Sequence, residues 1–492
     1  MNAIPFNNSY ARLPNKFYTR LNPTAVAEPG LIRVNRALAQ QLGIDPDYLS
    51  STTGVRIVAG NEIPGGAEPL AAVYAGHQFG SYNPQLGDGR AILLGEVLGG
   101  DSKRFDIQLK GSGPTPYSRG GDGRSPLGPV LREYIVSEAM HALGIPSTRA
   151  LAAVTTGEKV AREEFLPGAI LARVASSHIR IGTFQFFAAA QDHEALLQLL
   201  NHVAERHFPE ALAADNQPLA VLQAVVSRQA QLVAHWQLVG FIHGVMNTDN
   251  MLLCGETIDF GPCAFMDSFN PDMVYSSIDR GGRYSFRNQP GIAHWNLACL
   301  AQALMPLLHD DKEQALALAQ ETIDDFPQQF LQSHTRGMAR KLGLGEITAE
   351  DTGLVEDLFQ LMAEHELDFT LTFRRLADLA DSAGAGHDNI GDLFEIPDAL
   401  LPWLARWHQR LAREETSAAQ RQARMYAANP VFIARNHLVE EAIQAASNNG
   451  DLAPFHQLVD VLAQPCQFNS DLARYATPPK PEEVVKQTFC GT

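Results

Sequence analysis

His243-Gly244-Val245-Met246-Asn247-Thr248-Asp249-Asn250 is followed closely by Asp259-Phe260-Gly261. A helical pattern over residues 218–239 runs up to the first of these runs, which reads as a polar loop. Residues 251–260 read as a short strand-like hairpin that delivers the Asp-Phe-Gly. A metal bound to a triphosphate needs hard oxygen ligands, and Asn250 and Asp259 are placed to supply them from adjacent loops. Asp-Phe-Gly alone is a common tripeptide, and a helix stop with a turn would also produce it. Preceded by His-Gly and Asn at these spacings, it is a specific signal.

The order of these motifs resembles the catalytic loop and metal-binding motif of the protein-kinase fold. One position departs. Two residues after the histidine, kinases carry the aspartate that engages the substrate hydroxyl, and this chain has Val245. The only acid in the loop is Asp249. Either Asp249 receives the proton or the site is catalytically dead; a capping or turn role would also account for it.

Working outward, Gly87-Asp88-Gly89-Arg90 opens a strand, and its glycines would let backbone N–H groups approach an anion. Alone it would be an ordinary hairpin turn. Lys110 ends the strand over residues 105–110, and Glu133, in the helix predicted over 130–143, is placed to pair with it and aim the ammonium at phosphate oxygens. Arg173, near the end of a strand-like run over 169–174, and Arg180 stand seven residues apart, and residues 116–124 form a polar, Gly-rich loop. Arginines this close in an acidic protein suggest either a local anion pocket or surface ion pairs.

The balance of charge sets the frame for that pocket. Lys and Arg total 38 against 55 Asp and Glu, a net charge of -17, which argues against a nucleic-acid-binding face. Five cysteines, Cys254, Cys263, Cys299, Cys466 and Cys490, lack Cys-x-x-Cys spacing and make neither a zinc framework nor a disulfide scaffold. No run of about 18 apolar residues occurs, so no transmembrane helix and no membrane partner are expected. The start lacks a signal-peptide core. Residues 1–27 carry Arg12, Lys16 and Arg20 without an acid, but Pro5, Pro14 and Pro23 spoil an amphipathic transit helix. A cytoplasmic location is the expectation.

Strands are predicted over 91–97, 105–110, 151–155 and 169–174, and helices over 194–207, 218–239, 295–308, 312–333, 350–380, 400–414 and 431–446. A strand-rich part followed by a helical part predicts an α+β chain. Its expected divisions are an N-terminal extension with a nucleotide-binding N-lobe over 1–185, a helical C-lobe over 186–463, and an extended tail over 464–492. No internal repeat is seen.

These motifs, together with Tyr74-Ala75-Gly76-His77-Gln78-Phe79-Gly80 and Gln85-Leu86-Gly87-Asp88-Gly89-Arg90, closely resemble the selenoprotein O family of protein adenylyltransferases. The likeness runs from Leu13-Pro14 to the Cys490-Gly491-Thr492 tail. It implies a bilobal, protein-kinase-like fold that transfers AMP from ATP to protein Ser, Thr or Tyr hydroxyls, with the nucleotide reversed and Mg²⁺ or Mn²⁺ as the metal. By that resemblance Asp249 is the proton acceptor, and Asn250 and Asp259 are metal ligands. Gly87, Gly89, Arg90, Lys110, Asp122, Gly123, Arg173, Arg180 and Asp259 contact ATP, and Glu133 partners Lys110. A reversed triphosphate needs extra cations for its outer phosphates, which Arg173 and Arg180 would supply. A phosphotransferase and a nucleotide-binding scaffold remain the alternatives. Animal members carry selenocysteine near the C-terminus, where this chain has Cys490. Some bacterial members pair the tail with a cysteine after Asp-Phe-Gly; residues 264–290 contain none, Tyr275 stands near that position, and Cys263 is the nearest candidate. That argues against redox control by a disulfide. Acceptor proteins and oligomeric state are not written in the sequence.

Overall fold

The computed structural model describes residues 4–380 and 390–489. Twelve strands form among them: Tyr18–Arg20 (β1), Gly30–Val34 (β2), Leu70–Ala72 (β3), Gly76–Gln78 (β4), Ser81–Asn83 (β5), Ala91–Leu98 (β6), Arg104–Lys110 (β7), Ser125–Pro126 (β8), Arg149–Ala161 (β9), Phe165–Ala175 (β10), Phe241–Ile242 (β11) and Ala264–Phe265 (β12). Eight of them make one antiparallel sheet in the order β1-β3-β6-β7-β10-β9-β2, with β8 paired to β10. The four predicted strands are β6, β7, β9 and β10, the last two longer than the apolar runs alone suggested.

This sheet is covered on both sides, which explains why its strands read as nearly continuous apolar runs. Leu93, Ala153 and Leu171 pack with Leu131 and Tyr134 of the helix Leu127–Ala142. Leu94, Leu109, Ile170 and Val174 point the other way, onto Leu38, Leu42 and Val58 from the N-terminal segment. Alternation along β7 therefore sends Gln108 and Lys110 toward the helix Leu127–Ala142. The β7–β10 register sets Arg173 opposite Gln108 and Leu171 opposite Lys110.

From residue 181 onward helices dominate. Several predicted helices are broken where periodicity alone saw continuity. The stretch 312–333 is two helices, Lys312–Asp324 and Phe326–Leu342, because Pro327 starts a new first turn. The stretch 350–380 is Thr352–Glu364 and Phe369–Leu379, the second capped by Asp368, whose carboxylate accepts from the Leu371 N–H at 2.7 Å. The helix predicted from residue 431 begins only at Asn436, and the tail is not purely extended, since Ser470–Tyr475 is a 3₁₀ turn. Residues 251–260 turn where the Gly255 N–H donates to Leu252 O at 3.1 Å, but they do not pair with each other as strands. Leu252 bridges to Arg180 and Thr257 to Ser147, while β11 pairs with β12 across them.

One helical stretch among the described residues, Phe286–Leu308, is long and apolar enough to cross a membrane by length and composition. Half of its most apolar window is buried inside the protein, where the Asn296 amide donates to Met246 O at 2.8 Å. A buried core helix passes the same test.

Candidate active site

All twelve residues singled out as nucleotide, metal or catalytic contacts line one cleft of about 490 Å³. At its floor the ammonium of Lys110 lies 2.5 Å from Glu133 Oε2 and 3.0 Å from Asp259 Oδ1. Arg173 Nη1 donates to Glu133 Oε1 at 3.1 Å and to Asp259 Oδ1 at 2.8 Å, while its Nε donates to Gln108 at 2.8 Å. Arg180 Nη1 reaches Asp259 Oδ2 at 2.8 Å and also donates to the backbone carbonyl of Asp249. The Arg180 guanidinium sits 4.7 Å from the Tyr74 ring centroid. The arginines are therefore not surface ion pairs: both are almost fully buried.

Burial alone would raise the pKa of Asp259. Lys110, Arg173 and Arg180 outweigh it and hold the carboxyl well below the usual range. Glu133 is lowered in the same way: Lys110 and Arg173 overcome the opposing effect of burial. Asp259 itself has a φ of 63°, the left-handed conformation that few non-glycine residues adopt.

Ten residues earlier, Asp249 meets the opposite environment. It lies in the 3₁₀ turn Thr248–Asn250, and its Oδ2 accepts from the Gln78 amide at 3.1 Å. Its Oδ1 is buried with no hydrogen-bond partner. Burial pushes its pKa up to about 6, against the partial relief of Arg180 and Gln78. Gly76 is required beside it, since a Cβ there would stand 2.5 Å from Asp249 Oδ1. Val245 lines the same wall, so the usual base position holds a methyl-bearing side chain.

Among the described residues no group of three or more His, Cys, Asp and Glu side chains forms a ready metal cage. A small hard cation does not need one, because it keeps waters and takes phosphate oxygens alongside one or two carboxylates. The oxygens present fit that pattern. Asp259 is held in its charged form, and the Asn250 amide nitrogen donates to Val245 O at 2.8 Å, which leaves its oxygen for other use.

The glycine-rich residues close the cleft from the sheet side. Gly87 has a φ of 81°, and a Cβ on it would run into the Tyr117 ring at 2.5 Å. Gly89, Arg90 and Gly123 line the cleft beside it. Asp122 is held in a bidentate pair with Arg162 at 2.9 and 3.1 Å, so it also shapes the loop. His243 has an architectural place: its ring nitrogen lies 2.8 Å from Ile258 O, tying the catalytic loop to the Asp-Phe-Gly segment.

Several residues that complete the site carry no local signal in the sequence. Gln108 orients Arg173, Tyr74 underlies Arg180, and Gln78 holds Asp249. The run Tyr74–Gly80 signalled family likeness without revealing that it docks on the catalytic loop 171 residues away. At the far end, Thr488 is buried; its hydroxyl donates to Pro262 O at 2.6 Å and its N–H to Tyr275 O at 2.8 Å. The described part of the tail thus reaches the segment after Asp-Phe-Gly through hydrogen bonds. Cys263 is buried, which pushes its thiol up to about 12, and Cys490 lies outside the described residues.

A family model described as protein adenylyltransferase SelO matches residues 1–463. Similar curated proteins carry the name protein nucleotidyltransferase YdiU. The one from Bradyrhizobium diazoefficiens is 57% identical over 489 residues, covering 99% of both chains. That from Rhodopseudomonas palustris strain BisB18 is 57% identical over 489 residues, and that from Methylorubrum extorquens strain PA1 is 58% identical over 494, each again covering 99% of both chains.

Proposed function

The chain belongs to the protein adenylyltransferase SelO family and is a nucleotidyltransferase of that family, and from that premise we propose that it transfers AMP from ATP to Ser, Thr or Tyr hydroxyls of proteins, releasing pyrophosphate. The observation that carries this reading is the charge at the cleft floor. Three buried cations, Lys110, Arg173 and Arg180, converge on Asp259 and Glu133, with Asp88 and Asp249 also lining the cleft, in a chain whose net charge is -17. Cations concentrated in one cleft of an acidic chain make a local place for an anion. A triphosphate is such an anion, and two arginines beyond the strand lysine suit a nucleotide whose outer phosphates lie deep.

The arrangement also supports a bilobal, kinase-like division, with Lys110 and Glu133 from the sheet side and Asp249, Asn250 and Asp259 from the helical side. In our reading Asp259 and Asn250 hold a divalent cation, Mg²⁺ or Mn²⁺, which when bound neutralises charge on the phosphates. Gly87, Gly89, Arg90, Asp122 and Gly123 cradle the nucleotide on the sheet side. Lys110, oriented by Glu133, and the two arginines fix the phosphates. The acceptor hydroxyl oxygen forms its bond to the α-phosphorus as the bond to pyrophosphate breaks, and its proton passes to Asp249 Oδ1. No acid is needed at Val245.

The test is incubation with α-labelled and, separately, γ-labelled ATP in the presence of Mg²⁺. Protein-bound label from the α position alone is the expected result. Label from γ alone would make the chain a phosphotransferase, and label from neither would make it a nucleotide-binding scaffold.

A further inference from the structure

Reacting atoms are only part of what a protein-modifying enzyme has to bind. We infer that the lip built from residues 77–82 and 278–283 is the docking surface for the acceptor polypeptide, and that it favours a segment with an acidic residue beside the hydroxyl-bearing one. This rests on the reading of the chain as a protein-modifying transferase.

The lip is continuous with the site. The β4–β5 hairpin is stitched to the catalytic loop: the His77 N–H donates to Thr248 Oγ1 at 2.7 Å, the Phe79 N–H to Asn247 Oδ1 at 3.1 Å, and Gln78 to Asp249. Tyr284 ties in the opposite segment, donating its hydroxyl to the same Asn247 oxygen at 2.7 Å and packing its ring 5.0 Å from Phe79. Ile278, 61% exposed, lines the cleft mouth.

Its composition is that of a binding surface. Tyr82 is 40% exposed and its ring lies 5.0 Å from His77, which in turn meets Trp295 edge-on at 5.2 Å. The Arg283 guanidinium lies 5.0 Å from the Trp295 ring centroid. Exposed aromatic and arginine side chains are the types that carry binding energy in interfaces.

Charge gives the partner its sign. Among the described residues no carboxylate pairs with Arg280 or Arg283. Asp279, next to Arg280 in the chain, is spent on the N–H groups of Arg283 and Tyr284 at 2.9 and 2.8 Å. Lys110, Arg173 and Arg180, by contrast, are committed to Asp259 or Glu133. The exposed Arg280, and Arg283, whose guanidinium stacks on Trp295 but meets no carboxylate, lie in the same segment as the exposed Ile278 that lines the cleft, and together complement an acidic polypeptide with some apolar character.

The experiment uses the full chain, α-labelled ATP, Mg²⁺ and synthetic peptides of one length. Each carries a central Tyr, Ser or Thr flanked by Asp, Ser or Lys. The expected result is a KM about tenfold lower for Asp-flanked than for Lys-flanked peptides at similar kcat. Arg280→Glu with Arg283→Glu should reverse that order while calorimetric ATP binding stays unchanged. Because Arg283 stacks on Trp295, Arg280→Glu alone, at an exposed position, serves if the double variant does not fold. Equal KM across the flanks, or an order untouched by Arg280→Glu, overturns the inference. Label on the protein itself but on no peptide also overturns it while leaving AMP transfer standing. Label nowhere refutes the transfer reading, and this one with it.

Discussion

Asp249 and Asp259 are the same residue type in one cleft, yet their surroundings are opposite. Three cations crowd Asp259 and keep it ionised far into acid. Asp249 has burial, one amide and an unpartnered oxygen, and its pKa rises to about 6. The difference divides the labour: a carboxylate held charged by cations is suited to fix metal and phosphate, and one pushed toward neutrality is suited to take a proton. In the proposed mechanism it also accounts for Val245, because the environment suited to a base is built around residue 249.

The comparison breaks hardest at Asp259. Asp259→Ala should cost about 10³–10⁵-fold in transfer, the scale for losing a group that neutralises transition-state charge; near-normal turnover with Mg²⁺ present would refute the assignment. Asp249→Ala should lower transfer by about 10²–10⁴-fold, the usual worth of general-base help, while calorimetric ATP binding changes little. Parallel loss of ATP binding would move Asp249 to the Asp259 side of the division. Arg173→Ala and Arg180→Ala should each weaken ATP by about 1.5–3 kcal/mol and AMP by less; equal losses for both nucleotides would contradict the placement of outer phosphates. The smallest effect is on pH. Asp249 works as the carboxylate, so the rate should fall as acid protonates it, to about a tenth at pH 5 of its value at pH 7 for a group titrating near 6. A bound divalent cation favours the charged form, so raising Mg²⁺ should move that limb to lower pH. Asp249→Asn should erase the limb.

Much of this site could be read from the sequence because its pieces lie in short, ordered motifs. Asp249, Asn250 and Asp259 share one loop-turn-loop passage, and Lys110 and Glu133 sit at a strand end and on the next helix. Arg173 was legible as a cation but not as a partner of Gln108, because that contact depends on strand register. Gln78 and Tyr284 escaped notice because their contacts span 171 and 37 residues and leave no local period. Helix ends failed for a different reason. Apolar spacing runs unbroken through Phe326-Pro327 and through Glu366, which has a φ of 49°, although the backbone stops there. The passage 251–260 read as a hairpin because apolar runs flank a glycine, yet its partners come from outside it.

Glu133 shares its two oxygens between Lys110 and Arg173, and its helix is gripped again from the other side. There Arg132 bonds Asn436 Oδ1 at 2.9 Å and pairs with Glu440. The helix Leu127–Ala142 is therefore held at both faces, and rotating it outward would mean breaking three ion pairs and the Arg132–Asn436 hydrogen bond. In mechanical terms it is a fixed beam rather than a lever. Gating that works by swinging such a helix would have to meet the cost of all these contacts together.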